Sequence, residues 1–274
     1  MSKIVFFGNE QLAQGLNEPT TPIFDGLISS KNSVVALVLP RQSEIISRKT
    51  RELKIIESTN NQNIKIIYAD QTNLQEALLK LGADIGVLAS YGKIVPLNII
   101  AIFPNGIVNI HPSLLPKYRG PTPLETAIAD GERETGVSLM ALSAKMDAGP
   151  VYIQEKIALS PTETKFTLYE KAANTGSKLL LANIDKIISG GLKSVAQDNT
   201  QASYCQLLKK SDGELYPLTM TATDCERKIR AYLGFPRTRL LFHGQPTIIT
   251  KAKTLNDFAG DNWPDVITCR DNTA

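Results

Sequence analysis

The chain has 274 residues, of which 42% are hydrophobic and 21% are charged, and its formal net charge is +3. This composition is ordinary for a soluble globular protein with one large domain or two unequal ones, and no apolar run reaches the length of a membrane span. The three cysteines, Cys205, Cys225 and Cys269, are odd in number and form no Cys-x-x-Cys motif, so we expect neither a disulfide framework nor a zinc site.

The first two-thirds of the chain alternates short apolar strands with helical segments. Residues 72–81, for example, carry leucines at helical spacing. Such an alternation predicts a parallel sheet with helices on both faces, so we expect a Rossmann-like α/β fold, in which ligands bind beyond the carboxyl ends of the strands. The predicted strands are residues 3–8, 34–39, 65–68, 84–89 and 106–110.

No signal-peptide cleavage region precedes the first predicted strand, so the expected location is the cytoplasm. No Gly-x-Gly-x-x-Gly motif follows this strand, and a dinucleotide cofactor is therefore not expected. We expect the protein to act as a monomer without a membrane partner.

The sequence changes character after its longest predicted helix, residues 164–190, which ends at a Gly-Gly pair. Residues 198–212 are polar and lack a helical period. We expect them to link a catalytic domain of residues 1–197 to a small domain of residues 213–274. That second domain has short β-like segments separated by glycine and proline, which is typical of a small β-rich unit.

The most informative segment is residues 109–123, in which an amide and an imidazole stand two residues apart at the end of the fifth predicted strand. Residues i and i+2 of a strand point the same way, so Asn109 and His111 are expected to face one pocket. A loop rich in proline and glycine follows, as at the walls of many sites. Asp147 follows a further strand-like run, 137–142, so we expect all three side chains at the carboxyl edge of the sheet. Together they suffice for acyl transfer to an amine.

This segment resembles the signature of the folate-dependent formyltransferases, in which Asn-x-His is followed by Ser-Leu-Leu-Pro and later by an aspartate. Within that family, residues 118–123, Tyr-Arg-Gly-x-x-Pro, are most similar to the methionyl-tRNA formyltransferases. A weaker similarity extends from residue 3 to about residue 255. The resemblance implies transfer of a formyl group from 10-formyltetrahydrofolate to the α-amine of methionine on initiator tRNA, without a metal.

The resemblance also implies roles for individual residues. Asn109 would stabilise the oxyanion, His111 would assist it and relay a proton, and Asp147 would orient His111 and accept the amine proton. A segment after the fourth strand resembles the folate pocket of the family, where Gly92 would let the backbone approach the pterin; the alternative is an ordinary strand-to-helix turn. The residues expected to bind folate are Leu88, Ser90, Tyr91, Gly92, Ile94, Ser113, Leu114, Leu115 and Pro116.

Positive charge is concentrated in residues 205–253, which hold nine Lys or Arg against four Asp or Glu. Clustered positive charge is typical of phosphate contacts, although a solvated surface is an equal alternative. Members of the family that act on tRNA carry a small barrel of the oligonucleotide-binding (OB) type here, and this shorter tail predicts a reduced one. A second basic stretch, residues 40–54, is either an RNA-reading loop or a solvated amphipathic helix. The residues expected to contact tRNA are Arg41, Lys209, Lys210, Arg227, Arg230, Arg237 and Arg239.

Two other functions remain open on sequence alone. The enzymes that formylate nucleotide-linked amino sugars share the Ser-Leu-Leu-Pro-x-Tyr-Arg-Gly pattern, and only the basic stretch 205–253 favours tRNA over such a sugar. A non-catalytic RNA-binding protein on the same scaffold is a rival of another class. The presence of Asn109, His111 and Asp147 argues against it.

Overall fold

The computed structural model describes residues 1–8, 21–40, 44–46, 49–51, 54–60, 62–254, 267 and 269. In chain order the strands are β1 (Lys3–Phe7), β2 (Ser33–Leu39), β3 (Glu44–Ile46), β4 (Lys49–Arg51), β5 (Lys65–Tyr68), β6 (Ile85–Leu88), β7 (Ile107–His111), β8 (Glu134–Ala141), β9 (Val151–Ala158), β10 (Thr238–Phe242) and β11 (Gln245–Ile249). The α-helices are α1 (Pro22–Ile28), α2 (Leu74–Leu79), α3 (Leu97–Ile100), α4 (Pro123–Ala129), α5 (Lys165–Ile188) and α6 (Ala222–Ala231).

A seven-stranded sheet with the order β5-β2-β1-β6-β7-β8-β9 forms the centre of the molecule. Strands β5, β2, β1, β6 and β7 are mutually parallel, which confirms the predicted parallel, Rossmann-like sheet for these five strands. The last two strands, β8 and β9, are antiparallel, and the sequence pattern did not predict this edge. The strand order changes direction beside β1, and ligands of open α/β sheets bind at such a point.

The sheet is covered on both faces, as its apolar strands require. One face packs on α1, α4 and α5 through a core that includes Phe6 and Phe24, whose ring centroids lie 5.0 Å apart. The other face packs on α2 and α3 through Phe7, Leu78 and Ile99. Neighbouring residues of β1 therefore belong to opposite layers, and each large apolar side chain buried in this way contributes about 1.5–3 kcal/mol.

The long predicted helix is present as α5, and its start is fixed by a cap. The Thr164 hydroxyl accepts a hydrogen bond of 3.3 Å from the backbone N–H of Thr167, and the Thr167 hydroxyl accepts one of 3.1 Å from the N–H of Thr164. This reciprocal pair satisfies two N–H groups that a helix leaves without intrahelical partners. Helix α5 then runs along one face of the sheet and packs against α1 and β8.

The described part of the C-terminal region contains α6, the hairpin β10–β11 and a small core of its own. That core includes Leu215, Ile229 and Leu240. The two-stranded antiparallel sheet does not confirm the predicted OB-like barrel. Helix α6 packs against α4 of the larger region, and none of the helices in the described ranges is both long and apolar enough to cross a membrane.

The basic stretch 40–54 contains an antiparallel hairpin, β3–β4, followed by a 3-10 helix at Lys54–Thr59. The alternative of an amphipathic α-helix is therefore wrong for the described part of this stretch. Arg41 lies outside the described residues.

Candidate active site

Strand β7 presents two polar side chains on one side of the sheet. Its apolar residues Val108 and Ile110 belong to the core that packs on α1, α4 and α5. Asn109 and His111 point the opposite way and are also buried. Asn109 is paired with Leu88 at the end of β6, and His111 is the last residue of β7. The side chains of Asn109 and His111 therefore lie near the carboxyl ends of the parallel strands.

Asp147 meets these two side chains from the loop between β8 and β9. Its Oδ1 lies 3.4 Å from Asn109 Nδ2, and its Oδ2 lies 3.7 Å from His111 Nδ1. The backbone N–H of Gly120 donates a 2.8 Å hydrogen bond to Oδ2. The Asp147 carboxylate therefore lies next to both Asn109 and His111, the other two residues singled out by the sequence.

The route by which Asp147 reaches the site differs from the expected one. Strand β8 is antiparallel to β7 and ends at Ala141, which pairs with Val108 rather than with the carboxyl end of β7. The prediction that Asp147 follows a strand ending at the carboxyl edge is therefore wrong. The two ends of the loop are bonded together, Ala141 N–H to the Pro150 carbonyl at 2.9 Å, and Asp147 is brought back by the loop between them.

His111 is oriented by a backbone atom on its other side. Its Nε2 lies 2.9 Å from the carbonyl oxygen of Tyr118. Because a carbonyl can only accept, the proton of a neutral ring is on Nε2 and Nδ1 is left with a lone pair facing Asp147. The geometry thus makes Nδ1 the atom that can exchange a proton in the site.

The Tyr118 side chain fixes the loop that carries this carbonyl. Its hydroxyl donates to Glu132 Oε1 at 2.8 Å and lies 3.0 Å from Asp130 Oδ2. Burial and the bond to Glu132 raise the pKa of Tyr118 well above its usual range, and the same bond lowers the pKa of Glu132. The Tyr118 N–H donates to the Ser203 hydroxyl at 2.9 Å, so the loop is held from both sides.

Arg119 follows in the same loop and is only 2% exposed. Its guanidinium donates to Gln197 Oε1 through Nε (3.1 Å) and Nη2 (2.8 Å), to Asn199 Oδ1 through Nη2 (2.9 Å) and to the Tyr204 hydroxyl through Nη1 (3.1 Å). Sequence reasoning gave no role to Gln197, which lies in a polar stretch without a motif. The Tyr118 carbonyl and the Gly120 N–H were missed because backbone groups carry no sequence signal.

The segment predicted to bind folate begins where β6 ends. Tyr91 is buried with its ring edge against Phe7, 5.7 Å between centroids, and burial, with a smaller contribution from Asp70, raises the pKa of Tyr91 to about 12. Gly92 has a φ of 72° and open space where a Cβ would stand. Ile94 is 89% exposed. Leu88 pairs with Asn109, so this segment and the catalytic candidates are neighbours.

The Ser-Leu-Leu-Pro loop is hydrogen-bonded to β8. The Ser138 hydroxyl donates to the Ser113 carbonyl at 2.5 Å and accepts from the Leu115 N–H at 3.2 Å. Leu114 packs directly over Gly136, where a Cβ would overlap its side chain. The peptide bond between Leu115 and Pro116 is cis.

The residues predicted to contact tRNA fall into two groups. Lys209, Lys210 and Arg237 are exposed, whereas Arg227, Arg230 and Arg239 are half-buried. Among the residues that the structure describes, no group of three or more His, Cys, Asp or Glu side chains could hold a metal ion.

Two of the half-buried arginines are paired within the protein. Arg230 forms a two-bond ion pair with Glu226 and donates to the Glu163 carbonyl at 2.6 Å. Arg239 is paired with Glu214 at 2.5 Å. These bonds leave fewer N–H groups for an outside ligand than the exposed cations have.

Comparison with known proteins shows the family to which the chain belongs. Residues 3–184 match the family model described as formyl transferase. A methionyl-tRNA formyltransferase of Roseiflexus sp. (strain RS-1) is 37% identical over 190 residues, which are 69% of this chain and 58% of that protein. One of Coxiella burnetii (strain RSA 331 / Henzerling II) is 32% identical over 274 residues, 98% of this chain and 84% of that protein.

Solved structures share the fold. An N-formyltransferase from Helicobacter canadensis, crystallised with folinic acid and dTDP-3-aminofucose, superposes with a TM-score of 0.71 and 21% identity, covering 99% of this chain and 96% of that one. At that identity the likeness concerns the fold alone. The match to the Roseiflexus protein spans less than two-thirds of that relative's length.

Proposed function

Because the chain belongs to the formyl transferase family, we propose that it transfers a formyl group from 10-formyltetrahydrofolate to the α-amine of methionine on initiator tRNA. The chemistry is supported by the convergence of an amide, an imidazole and a carboxylate. The Asp147 carboxylate lies 3.4 Å from Asn109 Nδ2 and 3.7 Å from His111 Nδ1. The choice of methionyl-tRNA as acceptor rests on the similarity to methionyl-tRNA formyltransferases.

Asn109 is suited to stabilise the oxyanion. When the amine attacks, the formyl oxygen gains negative charge, and an amide N–H₂ directed at it lowers the barrier. Removing one such donor typically costs about 2.7–4 kcal/mol. Within the described part of the chain, Asn109 Nδ2 has only the long 3.4 Å contact with Asp147 Oδ1, so it can turn its hydrogens to a substrate oxygen at little cost.

His111 and Asp147 are suited to move the proton that the attacking amine must lose. His111 Nε2 is occupied by the Tyr118 carbonyl, so Nδ1 faces the site. Asp147 keeps one oxygen bonded to the Gly120 N–H and has the other towards Asn109. In this scheme Asp147 accepts the amine proton, directly or through water, and passes it to Nδ1 of His111, which then donates the same proton to the developing oxyanion.

The segment 88–94 and the loop 113–116 are proposed to hold the folate. Their fit rests on Gly92, where positive φ and open space leave the backbone approachable by a flat ring. The neighbouring Tyr91 is buried and its ring packs against Phe7, which anchors this part of the chain. The bound folate supplies the activated formyl group. The protein's own residues position the carbonyl beside Asn109 and exclude water.

Contact with the tRNA backbone is proposed for the basic residues of the C-terminal region. Lys209, Lys210 and Arg237 support this best because they are exposed. Arg227, Arg230 and Arg239 are also included, although two of them are already in ion pairs. Arg41 completes the proposed set.

The remaining parts of the proposal concern organisation. We infer a catalytic domain of residues 1–197, a linker of residues 198–212 and a small tRNA-binding domain of residues 213–274 that forms a reduced OB-like barrel. We further infer a monomer that works in the cytoplasm.

Formylation of a nucleotide-linked amino sugar is the alternative, because the groups around Asp147 act on any positioned amine. The observation that favours it is the fold, since an N-formyltransferase crystallised with dTDP-3-aminofucose superposes over 96% of its own length. The two acceptors differ in what must bind outside the catalytic groups, a long polyanion or a single nucleotide.

A formylation assay with 10-formyltetrahydrofolate decides between them. Charged initiator tRNA and an amino-sugar nucleotide are offered in parallel, and formyl transfer to the methionyl amine is expected. Transfer to the sugar alone would establish the alternative. Binding of tRNA with no transfer to either acceptor would make the protein a non-catalytic RNA binder.

A further inference from the structure

Residues 195–205 are hydrogen-bonded to both loops of the candidate site. Val195 exchanges two backbone hydrogen bonds of 2.8 Å with Val151, at the end of the loop that carries Asp147. The Arg119 N–H donates to the Ser203 carbonyl at 2.9 Å, and the Cys205 N–H donates to the Arg119 carbonyl at 2.8 Å. The segment therefore connects the Asp147 loop with the Tyr118–Gly120 turn.

Gln197 stands where this connection meets the site. The antiparallel pairing of Val195 with Val151 places residue 197 opposite residue 149. Its Nε2 donates to the carbonyl of Asp147 at 2.8 Å and to that of Gly149 at 2.7 Å. One amide thus satisfies the carbonyls on both sides of Ala148.

The buried guanidinium of Arg119 determines which way this amide faces. A guanidinium has only donors, so the atom that receives Arg119 Nε and Nη2 must be the amide oxygen of Gln197. Because the amide oxygen faces Arg119, the NH₂ group on the other side of the amide faces the Asp147 loop. Arg119 is 2% exposed and donates two hydrogen bonds to the amide oxygen of Gln197, so the Gln197 amide has little freedom to flip.

The turn at Asp147 needs such external bonds. Asp147 has a φ of 47°, in the left-handed region that costs a non-glycine residue some free energy. A Cβ at Gly149 would overlap the Ala141 carbonyl oxygen, so the chain is tightly packed on the other side. The two bonds from Gln197 hold the backbone of the turn while the Asp147 carboxylate is directed at Asn109 and His111.

We propose that Gln197, oriented by Arg119, is a positioning residue that holds the Asp147 carboxylate in its place beside His111. The inference rests on the proposed formyl transfer for its kinetic consequence. Gln197 touches no reacting atom; it acts through Asp147.

The variant Gln197→Glu isolates this role. A carboxylate keeps the oxygen that accepts both bonds from Arg119 and adds an ion pair, but it cannot donate to the carbonyls of Asp147 and Gly149. We expect kcat to fall between about tenfold and a hundredfold, because displacing a reacting group by about 1 Å has effects of this size. Gln206→Glu makes the same chemical change at an exposed position and is expected to leave kcat unchanged.

A double-mutant cycle separates positioning from general destabilisation. In an Asp147→Asn background, Gln197→Glu should lower kcat by less than about twofold, because residues acting through one another are not additive. Equal fold losses in both backgrounds, or an unchanged kcat in the single variant, would overturn the proposal. If Gln197→Glu fails to fold, Gln197→Met, which lacks donors and charge, takes its place in the cycle.

Hydrogen exchange tests the same inference without any activity. The Gly120 N–H donates to Asp147 Oδ2, so its exchange should accelerate by about tenfold in Gln197→Glu. The Cys205 N–H, bonded to the Arg119 carbonyl, should keep its rate. A protein that formylates nothing would refute the proposed function, but this measurement would still decide the role of Gln197. An unchanged exchange rate of the Gly120 N–H would show that Gln197 does not position Asp147.

Discussion

In the candidate site, Asn109 and His111 are buried and face the Asp147 carboxylate. By contrast, the cations predicted to contact phosphate are exposed or half-buried in the described part of the chain, and two of them, Arg230 and Arg239, are paired with carboxylates of their own region. A buried polar group without a partner costs about 1–3 kcal/mol, so the site has one well-defined arrangement. A surface cation has no such requirement. The contrast indicates that a motif specifies geometry, while a count of charges specifies only a region.

The largest expected effect comes from substitutions of the polar residues in the candidate site. Asn109→Ala and Asp147→Asn should each lower kcat for formyl transfer by at least about a hundredfold with a modest change in KM, because their interactions strengthen in the transition state. Steady-state kinetics on folded variants provides the measurement. Near-normal kcat in both variants would remove the distinction between the two regions, since the buried polar groups would then serve stability alone.

Arg230 sharpens the comparison from the other side, because it belongs to the basic region but has partners like those of the site. Its side chain is 16% exposed, paired with Glu226 and bonded to the Glu163 carbonyl ahead of α5. Arg230→Ala should lower the free energy of unfolding by about 1–3 kcal/mol, measured by urea denaturation. Arg237→Ala, at an exposed position, is the matched control and should change it by less than about 0.5 kcal/mol.

The exposed lysines should behave in the opposite way. Lys209→Ala/Lys210→Ala should leave the unfolding free energy almost unchanged and weaken tRNA binding at all base sequences. The slope of log affinity against log salt should become shallower by roughly 0.7–0.9 for each phosphate that the protein no longer neutralises. Binding is titrated over a salt series beside Arg230→Ala. A slope equal to that of the parent protein would show that these two lysines do not touch the RNA backbone.

The smallest effect concerns alkaline stability. Burial raises the pKa of Tyr91 to about 12, above the value near 10 of an unfolded tyrosine. The stability that goes with its neutral phenol is fully present below about pH 10 and is lost as the pH rises towards 12. Tyr91→Phe should therefore show a shallower decline of the unfolding midpoint between these pH values. The exposed Tyr216 serves as control through Tyr216→Phe, and identical curves for all three proteins would contradict the expectation.

Much of the central sheet could be predicted from the sequence because its strands are buried on both faces and appear as short apolar runs. Residues 65–68 were predicted without error, and the helix predicted at 164–190 is α5, Lys165–Ile188. The direction of β8 could not be predicted, because an apolar run has the same pattern in either direction. Residues 40–54 are mostly charged or polar and contain three aliphatic residues, a pattern that does not distinguish a helix from a hairpin.

The candidate site was predictable only where side chains carry it. Asn109 and His111 share a face because strands have a period of two, and this needs no knowledge of the fold. The Tyr118 carbonyl that orients His111 is a backbone group, and any residue could supply it. Gln197 is 50 positions from Asp147 in the sequence, and no spacing pattern predicts a contact between residues so far apart.

That separation also affects how the protein is made. Arg119 and Gln197 are 78 positions apart, so the loops of the site are joined by a segment that leaves the ribosome long after the motif itself. Contacts of this kind close late, because a large loop of chain must be ordered before they form. A nascent chain that ends at residue 196 would contain Asn109, His111 and Asp147 but not the amide that holds the last of them. The site would then be completed only after the polar stretch emerges, and activity should begin later than the appearance of the central sheet.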